Sequence, residues 1–441
     1  MKILIIDSDS AMQTDFATRC VEYGHDVRWF IRKNPVNKEI SQVGRGMVNR
    51  VAEWQPSMNW ADLIVLADCA IYTGMLEPYR KKGYPIFGPS DKVADWEMDR
   101  EIGQNVFAAA GIEPIPSVTF EDYDEAIAYV KSTMKRYVSK PSGDADKALS
   151  YCSKSPKDMI YMLERWKKLG ALKHPFILQE FIPGIEMAVG GWFGGGTFHP
   201  MVCENWEFKK LCAGEKGPST GETGTILHYK SDSYLADKVL RPLSELLAYE
   251  NYVGYIDVNC IIDKKGNPWP LEHTCRQGYP ISDIQRALHL NDDPAQWMLD
   301  LVHGKHTLKV KKDVACGVVV AIPDFPYDNF PTEKVSGIPI YGVTEKNRKN
   351  IHWGSVKMGS YPDEDNGTIK TVKGVVTAGS YVMVCSGTGD TVEAARDKTY
   401  KLVDEIEIPN DPFWRPDIGK RLEKQLPELH ALGYAEGTDY E

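Results

Sequence analysis

The stretch YIDVNCIIDKKGNPWPLEHT, residues 255–274, holds two largely apolar runs separated by the polar turn DKKG. The runs 255–262 and 269–272 have the length and composition of strands, so the stretch predicts a β-hairpin. Asp257 lies in the first strand and Glu272 in the second. A suitable register between the strands brings both carboxylates to one face of the sheet, beside the point where the chain turns at Thr274.

Paired carboxylates that face a cleft indicate a magnesium site. Mg²⁺ prefers octahedral oxygen coordination and commonly joins one or two carboxylates to nucleotide phosphates. The same spacing also fits two ordinary surface acids of a strand. The hairpin alone therefore leaves both interpretations open.

Lys140 follows the apolar run 136–139 and begins the segment KPSGDADK, where a phosphate-contacting loop fits. An ammonium group is a compact charge that suits phosphate, although a solvated lysine at a strand end fits the same pattern. The chain contains no GxxxxGK[ST], which excludes a P-loop as the source of nucleotide binding.

Two further segments carry candidate binding residues. In ILQEFIPGIEM, Glu180 and Glu186 flank a bend at residues 183–184, and a strand-edge backbone with one carboxylate suits adenine and ribose; ordinary hairpin acids fit equally. The run GPSTGETG, residues 217–224, lies in a polar stretch, 208–225, whose length predicts a functional loop. Its closely spaced N–H groups form either an anion-binding nest or part of a plain flexible loop.

The first part of the chain alternates short apolar runs with helical stretches. This alternation predicts a parallel sheet with crossover helices and an α/β fold. Further on, the pattern predicts a small strand–helix–strand lid and a later mixed region. The predicted strands are 3–6, 27–30, 63–66, 85–87, 136–139, 176–181, 314–322 and 375–384, and the predicted helices are 11–23, 93–109, 123–132, 157–168, 231–249 and 391–406.

Length and composition restrict the class of protein. A chain of 441 residues suits two or three packed units, and a net charge of -10 argues against a general nucleic-acid surface. Nine cysteines without a CxxC pair fit reduced thiols in the cytoplasm. No apolar run approaches the roughly 20 residues of a membrane span, so we expect a cytoplasmic protein without a membrane segment, as a monomer or homodimer.

Six motifs, in order, resemble those of the ATP-grasp superfamily and in particular the glycinamide ribonucleotide synthetase (phosphoribosylamine-glycine ligase) family. The resemblance spans nearly the whole chain. The motifs are FGPS at 87–90, KPSG at 140–143, QEFIPGIE at 179–186, GPSTGETG at 217–224, LEHTCRQG at 271–278 and FWRPDIG at 413–419.

The resemblance implies a fold and a reaction. It implies an amino-terminal pre-ATP-grasp domain at residues 1–95, an ATP-grasp domain at 96–310 with a lid at about 117–188, and a carboxy-terminal α+β domain at 311–441. It also implies that a carboxylate attacks the γ-phosphate of ATP and that an amine displaces phosphate from the resulting acyl phosphate. A closed lid would protect that intermediate from water.

The resemblance further assigns metal ligands for Mg²⁺ or Mn²⁺. Glu272 matches the family's magnesium-binding glutamate. Thr274 stands where the family has an asparagine ligand, which weakens one metal contact. Asp257 resembles the aspartate that D-alanine:D-alanine ligases use as a metal ligand, so it is expected to compensate.

The nucleotide site is assigned in the same way. Lys140 matches the lysine near the ATP phosphates, and Arg100 replaces the usual upstream nucleotide-contacting lysine. Glu180 and Phe181 are expected to flank adenine, and Glu186 to bind the ribose hydroxyls.

The remaining assignments concern the small-molecule substrates, an amino acid and an amine. Arg276 matches the arginine expected near the amino-acid carboxylate and, with Lys140, is the predicted catalytic residue. The other predicted substrate-site residues are Gly217, Ser219, Thr220 and Tyr279.

Departures from the family pattern bear on specificity. The family's GSGGREHA, associated with binding phosphoribosylamine, is here DSDSAMQTDFA at 7–17, without glycine. The family's GPE is ADC at 67–69, its GDPE is GYPI at 278–281, and its AAGKG in the lid is ADK at 145–147. Two of these changes, at 67–69 and at 278–281, fall at expected substrate positions.

Three functional hypotheses follow. The first is an ATP-dependent ligase with glycine and phosphoribosylamine as the default pair. The second is a specialised ligase that joins another amino acid to another amine, such as a nucleotide or modified base. The third is a non-catalytic nucleotide-binding homologue, supported by the changed metal ligand but opposed by retention of Lys140, Glu186, Glu272 and Arg276.

Overall fold

The computed structural model of the protein describes residues 1–8, 10–33, 41–141, 150–171, 175–327, 329–365, 367–409 and 411–441. The lid segment ADK at 145–147 and the last two residues of KPSG lie outside the described residues. Among the helices of the described part, none is long and apolar enough to cross a membrane.

The amino-terminal part is a five-stranded parallel sheet, as the alternating pattern predicts. Ile3 and Ile5 pack into one hydrophobic core, whereas Leu4 and Ile6 pack into another, so both faces of the first strand are buried. The strand order is β3-β2-β1-β4-β5. The elements are β1 (Lys2–Asp7), α1 (Thr14–Tyr23), β2 (Asp26–Ile31), β3 (Asn49–Val51), β4 (Leu63–Leu66), α2 (Tyr72–Arg80) and β5 (Ile86–Phe87).

The single helix expected at 93–109 is wrong, because the structure has two helices there. They are α3 (Asp91–Met98) and α4 (Arg100–Ala109). Asp99 between them has an extended backbone, and its carboxylate accepts hydrogen bonds from the backbone N–H groups of Glu101 and Ile102. This N-cap starts a new helix at Arg100.

A small four-stranded sheet with two helices follows and has a hydrophobic core of its own. Its strand order is β6-β9-β7-β8, and the two helices pack against each other beside it. The elements are β6 (Ser117–Phe120), α5 (Tyr123–Thr133), β7 (Tyr137–Pro141), β8 (Tyr151–Cys152), α6 (Pro156–Lys168) and β9 (Phe176–Glu180).

The largest sheet has nine strands, paired antiparallel, and it continues past residue 310. Its order is β15-β14-β10-β12-β13-β16-β20-β17, with β11 paired to β10. The predicted boundary at 310–311 therefore falls between two strands of one sheet. The strands are β10 (Gly184–Gly194), β11 (Thr197–Phe198), β12 (Val202–Cys212), β13 (Lys216–Lys230), β14 (Gly254–Asp263), β15 (Pro268–Thr274), β16 (Val314–Ala321), β17 (Ile351–Trp353) and β20 (Tyr381–Gly389), and β18 (Val356–Asp365) pairs with β19 (Thr368–Thr377) in a separate hairpin.

Two predictions in this region are wrong. The polar stretch 208–225 is not a loop but the end of the β12–β13 hairpin, which turns at residues 213–215. The helix expected at 231–249 is interrupted by a 3-10 turn that contains Pro242, because proline lacks the N–H that a continuous helix needs. The helices that complete the structure are α7 (Tyr234–Val239), α8 (Ser244–Tyr249), α9 (Ile281–Arg286), α10 (Gln296–Val302), α11 (Thr332–Val335), α12 (Val392–Asp404) and α13 (Leu422–Ala431).

Candidate active site

The register of the β14–β15 hairpin brings the three predicted metal ligands to one face of the large sheet. Asp257 lies opposite Thr274, and Asn259 lies opposite Glu272. Directly opposed residues of an antiparallel pair project to the same face, and Asp257 and Asn259 are two residues apart on one strand. The face therefore carries two carboxylates, a hydroxyl and an amide.

Small residues of β10 continue this polar face. Ala188 is paired with Asn259 on one side and with Asn205 on the other, so these residues share the polar face. A Cβ atom added at Gly190 would lie 2.5 Å from Asp257 Oδ2 and 2.1 Å from the Tyr255 hydroxyl. The opposite face of the same strands is hydrophobic and fully buried.

Three cations surround Glu272. Arg100, the first residue of α4, forms an ion pair with its carboxylate. Lys140 Nζ lies 3.5 Å from the backbone oxygen of Leu271, and Lys209 Nζ lies 3.9 Å from Glu272 Oε1. Although burial alone would raise the pKa of Glu272, these three cations hold it well below its usual range.

Lys209 also joins the carboxylates on β10 and β12. Its ammonium lies 2.9 Å from Glu186 Oε1 and 3.0 Å from Glu207 Oε2. The amide of Asn259 donates a hydrogen bond of 3.1 Å to Glu207 Oε2. The predicted ribose-binding Glu186 thus belongs to the same charged cluster as Glu272.

Burial shifts the pKa values of two predicted site residues towards neutrality. Burial lowers the pKa of Lys140 to about 8, and Glu272 partly offsets that shift. Burial and the charge of Glu207 raise the pKa of Asp257 to about 7, while hydrogen bonds from Asn205 and Tyr255 act in the opposite direction. Groups with such shifts are concentrated at functional sites.

The predicted adenine-flanking residues lie at the end of strand β9 of the small sheet, where Glu180 is the last residue of the strand and Phe181 follows it. Glu180 forms an ion pair with Lys135. The guanidinium of Arg136 lies 3.3 Å from the centre of the Phe181 ring. Their carboxylate and ring are therefore engaged with neighbours on the small sheet.

The predicted substrate residues lie in two places. Arg276 Nη2 is 3.1 Å from Glu97 Oε1, so the guanidinium is paired with an acid of α3. Tyr279 accepts a hydrogen bond from Gln13, the residue before α1. These contacts join Arg276 to α3 and Tyr279 to the segment that precedes α1.

The GPSTGETG residues lie along the distal half of the β12–β13 hairpin. Ser219 is paired with Lys210 on the neighbouring strand, and Gly217 lies beside Cys212. Gly217 and Ser219 are both exposed. The Thr220 hydroxyl donates to the backbone oxygen of Lys209.

Two family models match the chain, and together they cover well over half of it. "Phosphoribosylglycinamide synthetase, ATP-grasp (A) domain" matches residues 99–282, and "Phosphoribosylglycinamide synthetase, C domain" matches residues 315–421. The chain belongs to this synthetase family. Its members are ATP-grasp carbon–nitrogen ligases, and this chain is one of them.

Relatives of the synthetase family resemble the chain over most of its length. Phosphoribosylamine–glycine ligase of Vibrio cholerae is 25% identical over 371 residues, which cover 81% of this chain and 82% of that protein. The Lactococcus lactis ligase of that name is 24% identical over 444 residues, covering 96% and 100%. The crystal structure of the Thermotoga maritima ligase of that name has a TM-score of 0.69 at 22% identity and covers 95% of this chain and all of that one.

Several residues of this synthetase site were not predicted from the sequence. Glu207, Lys209 and Asn259 alternate with apolar residues on their strands, and this alternation is the signal that could have placed them on the polar face. Glu222 is 8% exposed, and its Oε1 has no partner among the described residues. Burial and the charge of Glu207 raise the pKa of Glu222 well above its usual value.

A second acidic cluster in this synthetase lies elsewhere. Asp15, Asp283 and His352 are close enough to share a cation. However, Arg19 Nε lies 2.7 Å from Asp15 Oδ2, and Arg286 and Arg348 lie 3.5 and 3.6 Å from the same carboxylate. Three guanidinium groups already neutralise these acids, so the cluster is an ion-pair network between elements.

Proposed function

We propose that the protein is an ATP-dependent ligase that forms an amide through an acyl phosphate. The observation that carries the proposal is the convergence of Arg100, Lys140 and Lys209 around Glu272 on a face shared with Asp257. This arrangement offers cations for phosphate oxygens and carboxylates for a divalent cation. The relatives' printed name makes glycine and phosphoribosylamine the first pair of substrates to test.

We infer that this face of the sheet would hold Mg²⁺ or Mn²⁺. Asp257, Glu272 and Thr274 supply oxygen ligands from adjacent strands, which suits hard cations. A cation held there would neutralise charge on a transferred phosphoryl group. Lys140, from the predicted lid, and Arg100, from α4, are the proposed partners of the phosphate oxygens.

Other residues are the proposed binding partners of the amino acid and of the nucleotide. Arg276 is the proposed partner of the amino-acid carboxylate, which requires that its guanidinium bind the substrate alongside Glu97. Glu186 is the proposed partner of the ribose hydroxyls, and Glu180 and Phe181 are the proposed neighbours of adenine. The β12–β13 hairpin with Gly217, Ser219 and Thr220 is the proposed wall of the substrate cleft.

We also infer a cytoplasmic location, because all nine cysteines are free thiols.

Hydroxylamine trapping tests the proposal without knowledge of the amine. The protein is incubated with ATP, Mg²⁺, hydroxylamine and a panel of amino acids, and hydroxamate and ADP are measured. We expect both products with at least one amino acid, and we expect Glu272→Gln to lower the rate by at least about 100-fold.

The control is Glu245→Gln, which removes an exposed carboxylate on α8 and should leave the rate unchanged. Circular dichroism checks that both variants are folded. Absence of hydroxamate and ADP with every amino acid would favour the non-catalytic nucleotide-binding alternative.

A further inference from the structure

A cavity of about 340 Å³ lies between α1 and α9. Phe16, Arg19 and Tyr23 follow one another on α1 at spacings of three and four residues, so they share one face of that helix. Ser282 and Arg286, four residues apart on α9, also line the cavity. Its volume lies at the lower end of the roughly 300–1,000 Å³ that is usual for small-molecule sites. The cavity therefore has room for one small ligand, and the proposed nucleotide and metal residues do not line it.

Aromatic side chains form much of the cavity wall. The ring centres of Trp192 and Trp297 are 4.7 Å apart at an angle of 70° between the planes, and the ring of His289 lies 5.6 Å from that of Trp297. These edge-to-face contacts fix the planes of the three rings. Planar heterocycles stack on aromatic side chains. The wall therefore favours a flat ring over a flexible chain.

Hydrogen bonds in this wall leave a donor on His289. The Tyr229 hydroxyl accepts a hydrogen bond of 3.1 Å from Trp192 Nε1, and it lies 3.1 Å from His289 Nε2. Because the indole N–H can only donate, the hydroxyl directs its own proton to His289 Nε2. Burial lowers the pKa of His289 to about 3, so the ring is neutral at pH 7 and carries its proton on Nδ1. That N–H group is a donor for a ligand.

Two residues of α9 add further polar atoms to the wall. The side chain of Ser282, a residue that is 4% exposed, has no hydrogen-bond partner among the described residues. A buried hydroxyl without a partner is unfavourable, and a ligand that completes its hydrogen bond relieves that cost. The hydrogen bonds of Arg286 to Asp283 and Asp15 use only Nη1. The other nitrogens of this guanidinium group are left for acceptors on a ligand.

The charges that line the cavity balance. Arg19 and Arg286 carry two positive charges, and Glu22 and Asp292 carry two negative charges. The two carboxylates are exposed, whereas the two arginines are half-buried. Exposed carboxylates at the rim disfavour the approach of an anion. The cavity therefore suits a neutral ligand that accepts hydrogen bonds.

We propose that this cavity binds a neutral, planar heterocycle whose carbonyl or ring-nitrogen atoms accept hydrogen bonds, as a nucleobase or its nucleoside does. The ligand stacks against Trp192 and Trp297, and its acceptors are bound by Ser282, His289 and Arg286. It bridges α1, beside the amino-terminal sheet, and α9. The site goes beyond the proposed ligase function and does not depend on it, because the two sites use different residues.

Hypoxanthine and inosine are suitable probes, because both present carbonyl and ring-nitrogen acceptors on a planar bicycle. Calorimetry measures their binding to the protein in saturating ADP and Mg²⁺, which fill the proposed nucleotide site. Indole is a planar bicycle of similar size without such acceptors. We expect indole to bind at least about tenfold more weakly than hypoxanthine, since it leaves the buried polar groups of the cavity unpaired.

Two serine variants form a matched pair. Ser282→Ala removes the unpartnered hydroxyl and should weaken the binding of hypoxanthine and inosine by about five- to tenfold, the effect of one hydrogen bond. Its melting temperature without ligand should not fall, because the hydroxyl has no protein partner to lose. Ser244→Ala removes a hydroxyl on α8 that donates to the backbone oxygen of Arg241 and does not line the cavity. That variant should leave both affinities unchanged, and circular dichroism checks that both proteins are folded.

Each outcome decides the inference. Binding of hypoxanthine and inosine that weakens in Ser282→Ala and not in Ser244→Ala would support it. No binding of either probe, or binding that Ser282→Ala leaves unchanged, would overturn it. Indole that binds as tightly as hypoxanthine would reject the recognition of acceptors, and inosine 5′-phosphate that binds as tightly as inosine would reject the requirement for a neutral ligand. These measurements need no turnover, so failure of hydroxamate formation rejects the ligase and leaves the result for the cavity standing.

Discussion

Lys209 is the residue on which the charge balance of the synthetase site depends. Its ammonium lies between Glu186 and Glu207 and reaches Glu272 at 3.9 Å. Despite burial, these carboxylates raise the pKa of Lys209 well above its usual value. The ion pairs are about one-third exposed, so each contributes only modestly to stability in isolation.

Replacement of Lys209 should make the stability of the folded protein depend on a divalent cation. Lys209→Met leaves three neighbouring carboxylates with one fewer cation, and we expect a loss of roughly 1–3 kcal/mol of stability in EDTA. Millimolar Mg²⁺ should restore a larger share of the melting temperature in this variant than in the unmodified protein, because the carboxylates are then free to bind it. Thermal melts with and without Mg²⁺ measure the effect.

Lys210→Met removes the adjacent positive charge and serves as the control, with little Mg²⁺ dependence expected. A Lys209→Met protein that is as stable as the unmodified protein in EDTA would show that the three carboxylates do not repel one another. The sequence did not single out Lys209. In the run EFKK it resembles a solvated lysine, and its role depends on which face of β12 it occupies.

At the scale of elements, Asp99 determines where Arg100 points. The apolar pattern of residues 93–109 continues through Asp99, so the sequence predicts one helix. An aspartate within an apolar pattern can either cap a new helix or lie on the solvated face of a continuous one, so the sequence does not distinguish a cap at Asp99 from a helix that continues. The break places Arg100 in the first turn of α4 and against Glu272.

Loss of this cap should therefore affect both stability and nucleotide binding. Asp99→Ala removes two hydrogen bonds to backbone N–H groups and should cost about 1 kcal/mol. Because Arg100 follows directly, we also expect ADP affinity to fall several-fold. Chemical denaturation measures the first effect and calorimetry the second.

Asp122→Ala is the matched control, since Asp122 caps α5 of the small sheet with the same two types of hydrogen bond. It should cost similar stability without changing the contact between Arg100 and Glu272. Equal losses of ADP affinity in the two variants would mean that the cap of α4 has no special connection to the site.

Elements with a clear apolar period were predicted to within a few residues. Strand 63–66 and helix 157–168 are confirmed nearly at their predicted limits. The β12–β13 hairpin was missed because its far end is polar and glycine-rich, and such composition is typical of loops. The contact between Gln13 and Tyr279 joins residues 266 positions apart, which no local pattern contains.

At the scale of the whole molecule, the Asp15 network connects three regions. Asp15 of α1 accepts from Arg19, contacts Arg286 of α9, and lies 3.0 Å from Nδ1 of His352 in β17. Burial alone would raise the pKa of Asp15. The neighbouring Arg19 and His352 have the larger, opposite effect and hold that pKa well below its usual value. Asp15 thereby connects α1, beside the amino-terminal sheet, to α9 and to β17 of the nine-stranded sheet.

Buried histidines should make the whole protein sensitive to acid. Burial lowers the pKa of His352 to about 4 and that of His289 to about 3. Between pH 6.5 and about 4 the unfolded chain binds protons that the folded protein does not, so stability falls as the pH falls. Each such group contributes about 1.4 kcal/mol per pH unit in that window. Denaturation at pH 7.5, 6.0 and 5.0 measures the slope.

His289→Gln should reduce that slope by the contribution of one group, whereas replacement of the exposed His303 with Gln should leave it unchanged. A slope that is the same in all three proteins would show that His289 is protonated in the folded state. Loss of Asp15 pairing adds to acid sensitivity only below about pH 4, because a lowered carboxyl pKa preserves its stabilisation at higher pH.

The continuity of the nine-stranded sheet restricts how this protein can be divided. β16 pairs with β13 from Gly224 to His228, and β20 pairs with β16 in turn. A fragment that ends at residue 310 would leave that side of β13 as an open edge, and open edges template intermolecular strand addition. Truncated or chimeric versions of the ligase should therefore precipitate or oligomerise unless they carry the strands through residue 389.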